Sequence, residues 1–187
     1  LATWIIGACV TAIVHRFRTT PAPGFFGKLT ANSPSYYGMH LAHVGIAVFV
    51  IGITMVRGYE TERDVRLAPG QSATERGYEF KFISVGEKPG PNYQAIVGKF
   101  EVYRDGKLLE TMFPEKRQYF TTQQTMTEAA IDSGFTRDLY VSLGEPVENA
   151  TDGAWGVRIY VKPFIDWIWF GCIFMALGGV LAIADKR

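Results

Sequence analysis

The sequence predicts a membrane protein of the α + β class, with transmembrane helices flanking an all-β domain, barrel- or sandwich-like. Two observations carry this. Residues 35–56 contain no Asp, Glu, Lys or Arg, and residues 163–184 contain only Asp166. Each run is long enough to cross about 30 Å of hydrocarbon at roughly 1.5 Å per residue. Between the two runs the apolar pattern changes to period two, the mark of half-buried strands. The near-neutral mean hydropathy of +0.06 therefore averages apolar ends with a polar middle.

In chain order, residues 1–17 read as the end of a truncated transmembrane helix. The run is short for a span, and its basic residues follow the apolar stretch, the reverse of a signal peptide. Residues 18–34 read as a cytoplasmic loop, because Thr19-Thr20-Pro21-Ala22-Pro23-Gly24 cannot continue a helix. Ser33-Pro34-Ser35 offers a helix start, and the second transmembrane helix occupies 35–57 with Tyr36 and Tyr37 at its interface. Gly38, Ala42 and Gly45 form a small-residue stripe that invites close approach of another helix.

Residues 58–162 read as the β domain. Tyr78-Glu79-Phe80-Lys81-Phe82 alternates aromatic with charged residues, and Phe100 to Tyr103 runs into Arg104-Asp105-Gly106-Lys107, where Asp-Gly signals a hairpin. Further strands are predicted at 93–97, 108–113, 117–122, 126–131, 139–143 and 155–161, with turns at Lys88-Pro89-Gly90-Pro91 and 149–153. Residues 163–187 then form the C-terminal transmembrane helix and its tail. Phe164, Trp167, Trp169 and Phe170 supply an aromatic belt beside Asp166, and Met175-Ala176-Leu177-Gly178-Gly179 a second close-packing face.

Charge orients the chain. Arg16, Arg18 and Lys28 in the first connection and Lys186-Arg187 at the end belong on the cytoplasmic side, so the β domain belongs on the outer face. That domain mixes acids and bases and carries no nucleic-acid signature. The two cysteines, Cys9 and Cys172, lie in apolar helices, where they read as small packed thiols. There is no disulfide framework and no C-x-x-C pair, which argues against thiol exchange or covalent haem attachment by this chain itself. Asp132, Asp138 and Glu145 are spread among turns and strand edges and read as solvated or turn-forming acids; the Asn149-Ala150-Thr151 sequon is given no functional weight.

Chemistry concentrates in the histidines. His15 sits beside Arg16 and reads as solvated, whereas His40 and His43 open the uncharged run. An ionisable group within a membrane helix usually faces protein, a cavity or a cofactor. His40 reads as interfacial or hydrogen-bonded. His43 lies deeper, where ligation of a cofactor competes with helix–helix hydrogen bonding or a proton path. A pair three residues apart can also share one ion, but no nearby carboxylate, cysteine or third histidine completes a zinc or copper site. Haem iron needs only one or two axial side chains.

The string Tyr37-Gly38-Met39-His40-Leu41-Ala42-His43-Val44-Gly45 resembles the late transmembrane segment of the CcmF family of cytochrome c maturation proteins. Residues 127–132 and 137–145 resemble its outer domain, and 155–164 with Trp167-Ile168-Trp169 and Leu177-Gly178-Gly179 its closing strand and last helix. The resemblance implies a component of a haem lyase in the bacterial inner membrane, multi-pass, with the central domain periplasmic. It implies haem passed from a haem chaperone to Cys-x-x-Cys-His of apocytochrome c, with thiol-handling maturation subunits as further partners. It also implies that His43 is an axial iron ligand of a stable b-type haem, the position matching the histidine of Leu41-Ala42-His43; His40 is not carried over. The family's tryptophan-rich haem-binding segment, paired outer-face histidines and opposing membrane histidine have no counterpart here. The second axial ligand is thus expected in the remainder of the full-length protein, and the fragment alone is not expected to ligate haem. The alternatives are a non-catalytic membrane-anchored interaction module and a transporter segment using His43 in a proton path.

Overall fold

The structure, a computed structural model, describes residues 1–122, 124–148 and 150–185. Asn149 of the sequon and the terminal Lys186-Arg187 pair lie outside the described residues. The α + β reading holds. The chain divides into a helical unit, Leu1–Gly58 with Phe164–Arg187, and a β unit, Tyr59–Pro163.

In the helical unit, α1 (Ala2–Thr19) ends where Thr19 and Thr20 turn their hydroxyls back to the carbonyls of His15 and Arg16 at 3.0 and 2.7 Å, ahead of Pro21 and Pro23. The connection is not wholly irregular, because a seven-residue helix, α2 (Gly24–Thr30), begins directly after Pro23. The turn residues occupy only its first part, and Phe25 packs its ring 5.5 Å from Phe17 of α1. Helix α3 (Pro34–Tyr59) places proline at its first position, where the missing N–H costs nothing. Ser33 Oγ accepts from the Tyr36 amide at 3.2 Å, and Asp185, just past α4 (Ile165–Ala184), accepts from the Ser35 amide at 3.2 Å. A carboxylate at a helix N-terminus also meets the positive end of its dipole. Both α3 and α4 are long and apolar enough to cross a membrane.

Helices α3 and α4 meet through glycine. A Cβ built on Gly38 would stand 2.5 Å from the carbonyl oxygen of Gly178, one on Gly45 2.7 Å from the Met175 amide, and one on Gly52 2.9 Å from the Ile168 amide. The contacts repeat every seven residues along α3 and run the opposite way along α4. Gly179 belongs to no such contact, with nothing within 4 Å of its Cβ position.

In the β unit, one sheet has the order β1-β10-β9-β8 (Thr61–Leu67, Trp155–Pro163, Arg137–Pro146, Ala130–Asp132). The other has the order β2-β3-β4-β6-β7 (Ser72–Glu75, Tyr78–Pro89, Tyr93–Arg104, Glu115–Tyr119, Thr125–Glu128), with β5 (Lys107–Met112) also paired to β4. All pairings are antiparallel. Inward-facing Phe80, Phe82, Phe100 and Val102 from the second sheet meet Leu139, Val141, Leu143, Val157 and Ile159 from the first, all buried. The predicted hairpin forms at Asp105-Gly106, with φ +51° and +73°. A second tight turn at Arg76-Gly77, φ +48° and +78°, joins β2 to β3.

Several boundaries differ from the sequence reading. Strands predicted at 93–97 and 100–103 are one continuous β4, which hands its partner from β6 to β5. The segment predicted as 126–131 is two strands, since β7 pairs in one sheet and β8 in the other with Ala129 between them. Strand β1 escaped notice because Glu62, Arg63, Asp64 and Arg66 fill most of it. Its charges are matched across the ladder, where Asp64 accepts both guanidinium bonds of Arg158 at 2.6 and 2.8 Å.

Asp138 is a turn-forming acid, 2 % exposed, accepting from the Gly134 amide at 3.2 Å and Ser133 Oγ at 3.4 Å to close the β8–β9 connection. Asp138→Ala is expected to lower stability by about 1–3 kcal/mol, because the two turn donors lose a charged acceptor. Chemical denaturation of the full chain, followed by tyrosine and tryptophan fluorescence, measures this.

Candidate functional site

The two histidines of α3 meet opposite fates. At about 100° per residue, His43 lies about 140° around the helix from Gly38 and hence away from the face packed on α4, while His40 is about 60° further on. His43 is exposed and His40 is 7 % exposed. Three residues of spacing put them on neighbouring tracks, but packing buries only one.

The His43 ring is held by its own helix. Its Nδ1 lies 2.7 Å from the Met39 carbonyl oxygen, which can only accept, so Nδ1 carries the proton and Nε2 presents its lone pair outward. This is the arrangement that second-shell hydrogen bonds impose on metal-bound imidazoles: one nitrogen donates to a carbonyl while the other ligates. The donor set therefore fits one axial position of a haem. Among the described residues no group of three or more His, Cys, Asp or Glu could hold a metal ion.

His40 packs its ring edge-on to Tyr36, with centroids 4.5 Å apart. Its Nε2 and the Tyr36 Oη are buried without a hydrogen-bond partner among the described residues. The Arg16 guanidinium lies 5.9 Å from the Tyr36 ring, and its Nε donates to buried Asn32 Oδ1 at 2.8 Å. Sequence reasoning gave Arg16 only an orienting role and Tyr36 only an interfacial one, and passed over Asn32. The available signal was Tyr36 four residues before His40, on the same helical face. His15 is exposed near the end of α1.

Among the described residues of the β unit, the acids singled out in the sequence are engaged in turns and ion pairs. Asp132 accepts from Arg137 Nη1 at 2.5 Å, and buried Lys116 donates to the Gly144 carbonyl at 3.1 Å and pairs with Glu145. With Asp138 in its turn, these three acids serve a turn and ion pairs.

In chain order apolar helices flank a two-sheet sandwich, and one of them displays a histidine whose Nδ1 is held by its own helix; together they define a class of helix-flanked β-sandwich proteins. Residues 58–163 match the family described as the CcmF C-terminal beta-sandwich. The chain belongs to the CcmF family. It is 46% identical over 187 residues to the cytochrome c-type biogenesis protein CcmF of Pseudomonas aeruginosa and 49% identical over 187 residues to that of Escherichia coli, covering 100% of this chain in each case. The chain spans 28% of the length of either relative. Among solved structures it resembles one titled cytochrome c heme lyase CcmF, with a TM-score of 0.74, 16% identity, and coverage of 98% of this chain and 30% of that one. At that identity the likeness speaks for the fold.

Proposed function

We propose that this chain is part of the membrane haem lyase of cytochrome c maturation, in which His43 supplies one axial ligand to a b-type haem and the sandwich lies in the periplasm. The observation that carries the reading is the Nδ1–Met39 hydrogen bond, which leaves Nε2 of an exposed intramembrane imidazole free to ligate. Support for the wider role comes from relatives named as cytochrome c-type biogenesis proteins. The cationic connection of Arg16, Arg18 and Lys28 argues for a cytoplasmic start to α3, and hence for a sandwich outside the inner membrane.

In this role Met39 fixes the ring orientation and tautomer, and the glycine contacts with α4 fix the helix that carries it. Bound haem would supply a one-electron couple. The opposing ligand comes from the remainder of the full-length protein. Haem arrives from a haem chaperone and leaves on the Cys-x-x-Cys-His of an apocytochrome c, with thiol-handling subunits keeping its cysteines reduced.

His43→Gly in the complete protein is expected to abolish the Soret band of the purified, detergent-solubilised complex. Added imidazole should restore it, and His15→Ala should leave it unchanged. A band that persists in His43→Gly refutes the assignment and leaves the scaffold reading.

A further inference from the structure

An open groove of about 620 Å³ lies where α1, α2 and α3 meet, and its floor is apolar: Ile13 and Phe17 from α1, Phe25 and Leu29 from α2, and Tyr37 from α3. Residues four apart share a helical face, so Ile13 with Phe17 and Phe25 with Leu29 each present one apolar row. The Phe17 and Phe25 rings meet at 5.5 Å. The Tyr37 hydroxyl donates to the Leu29 carbonyl at 2.8 Å and accepts from Asn32 Nδ2 at 3.3 Å, so the polar atom of the floor is already engaged.

Arg18 and Lys28 line the same groove. Residues 1–59 contain no Asp or Glu to balance them. Asp185, the acid beside the start of α3, accepts from the Ser35 amide at 3.2 Å. Phe25 and Phe26 stand exposed next to the two cations, the arrangement by which short helices sit in a membrane interface. An apolar floor with two cations and no counter-ion is complementary to an anionic amphiphile, and basic pockets between membrane helices on the cytoplasmic side hold such headgroups.

We propose that this groove holds one anionic phospholipid of the cytoplasmic leaflet, its acyl chain along the apolar floor and its phosphate at Arg18 and Lys28, a site that rests on the membrane placement proposed above and not on the haem. The other occupant of such a groove is a helix from the remainder of the full-length protein. An apolar helix would cover both cations without supplying a charge, which is costly away from water. A different face of α1, lined by Gly7, Ala8, Thr11 and Ala12, has the small residues that close helix packing uses.

The test is native mass spectrometry of the complete protein released from nanodiscs of equal phosphatidylcholine and phosphatidylglycerol. Wild type should retain one phosphatidylglycerol in preference to phosphatidylcholine. The preference should fall roughly fivefold in Arg18→Gln or Lys28→Gln and roughly thirtyfold in the double variant, the equivalent of about 1 kcal/mol per cation. Arg18 is exposed and Lys28 half-buried, so neither change removes a core side chain. Arg57→Gln, which removes the same charge about 30 Å along α3 from Tyr37, should leave the preference unchanged. Photo-reactive p-benzoylphenylalanine in place of Phe25 should cross-link to phosphatidylglycerol.

No preference in wild type, or an equal fall in Arg57→Gln, overturns the site. A cross-link from position 25 to another segment of the protein instead of to lipid also overturns it, and assigns the groove to a helix of the remainder. Release of the complete protein from membranes by alkaline carbonate would remove the membrane placement and this site with it. The Soret band should be retained in the double variant, so the lipid site and the His43 ligand stand or fall separately.

Discussion

Gly178→Val is expected to drive α3 and α4 apart and lower the stability of the helical unit by about 3 kcal/mol or more, whereas Gly179→Ala one position on should change it by less than ~1 kcal/mol. The Cβ of any residue at 178 would stand 2.5 Å from the Gly38 carbonyl oxygen and 2.6 Å from the Ala42 amide nitrogen, and both are backbone of the facing helix. Backbone cannot rotate aside as a side chain can, so the helices must separate and lose contact along their length. Inserting bulk into a packed interior already costs about 1–3 kcal/mol when side chains can adjust, and between membrane helices close packing is the main source of attraction. Thermal unfolding of the detergent-solubilised protein, with loss of helical circular dichroism as the signal, compares the two variants. Equal melting temperatures would show that the close approach contributes nothing.

Phe100→Ala is expected to be the most damaging truncation in the sandwich, at about 3–5 kcal/mol, since the ring is wholly buried and a large aromatic leaves a cavity as well as lost apolar contact. The ring stacks on Phe82 at 4.8 Å with planes 15° apart, and that pairing goes with it. At roughly 4–8 °C per kcal/mol for a domain of this size, the melting temperature of the β unit should fall by well over 10 °C. Leu108→Ala on β5, where the side chain is 52% exposed, should stay within about 0.5 kcal/mol. Differential scanning calorimetry of the full chain resolves the two. A similar small effect for both would mean that the facing sheets do not share this core.

Because α3 carries both His43 and the glycine face, the two kinds of result are linked. A helix displaced from α4 in Gly178→Val also turns the imidazole, so haem retention should fall together with stability in that variant. Phe100→Ala leaves α3 unaltered in sequence and should lower sandwich stability first.

Much of this was legible in the chain. Strand β3 declared itself because aromatic and charged residues alternate over Tyr78-Glu79-Phe80-Lys81-Phe82, and the structure buries every second one. The Asp105-Gly106 hairpin was legible because only residues tolerant of positive φ close so tight a turn. Strand β1 was not legible: four charged residues in seven read as a loop, and they become a strand only because β10 offers Arg158 and Tyr160 at matching register. Nor was the sheet switch at Ala129, since the residues on either side carry the same alternation whichever sheet they join.

By itself, then, the sequence determined the apolar helices, the β character between them and the residue types able to ligate, because these follow from local composition and period. Tertiary structure alone decided that Gly178 and not Gly179 touches backbone, and that His40 is buried beside Tyr36 while His43 stays open. Those outcomes depend on where a second helix lies, and a difference of 60° or 100° around an axis is invisible until that neighbour is in place.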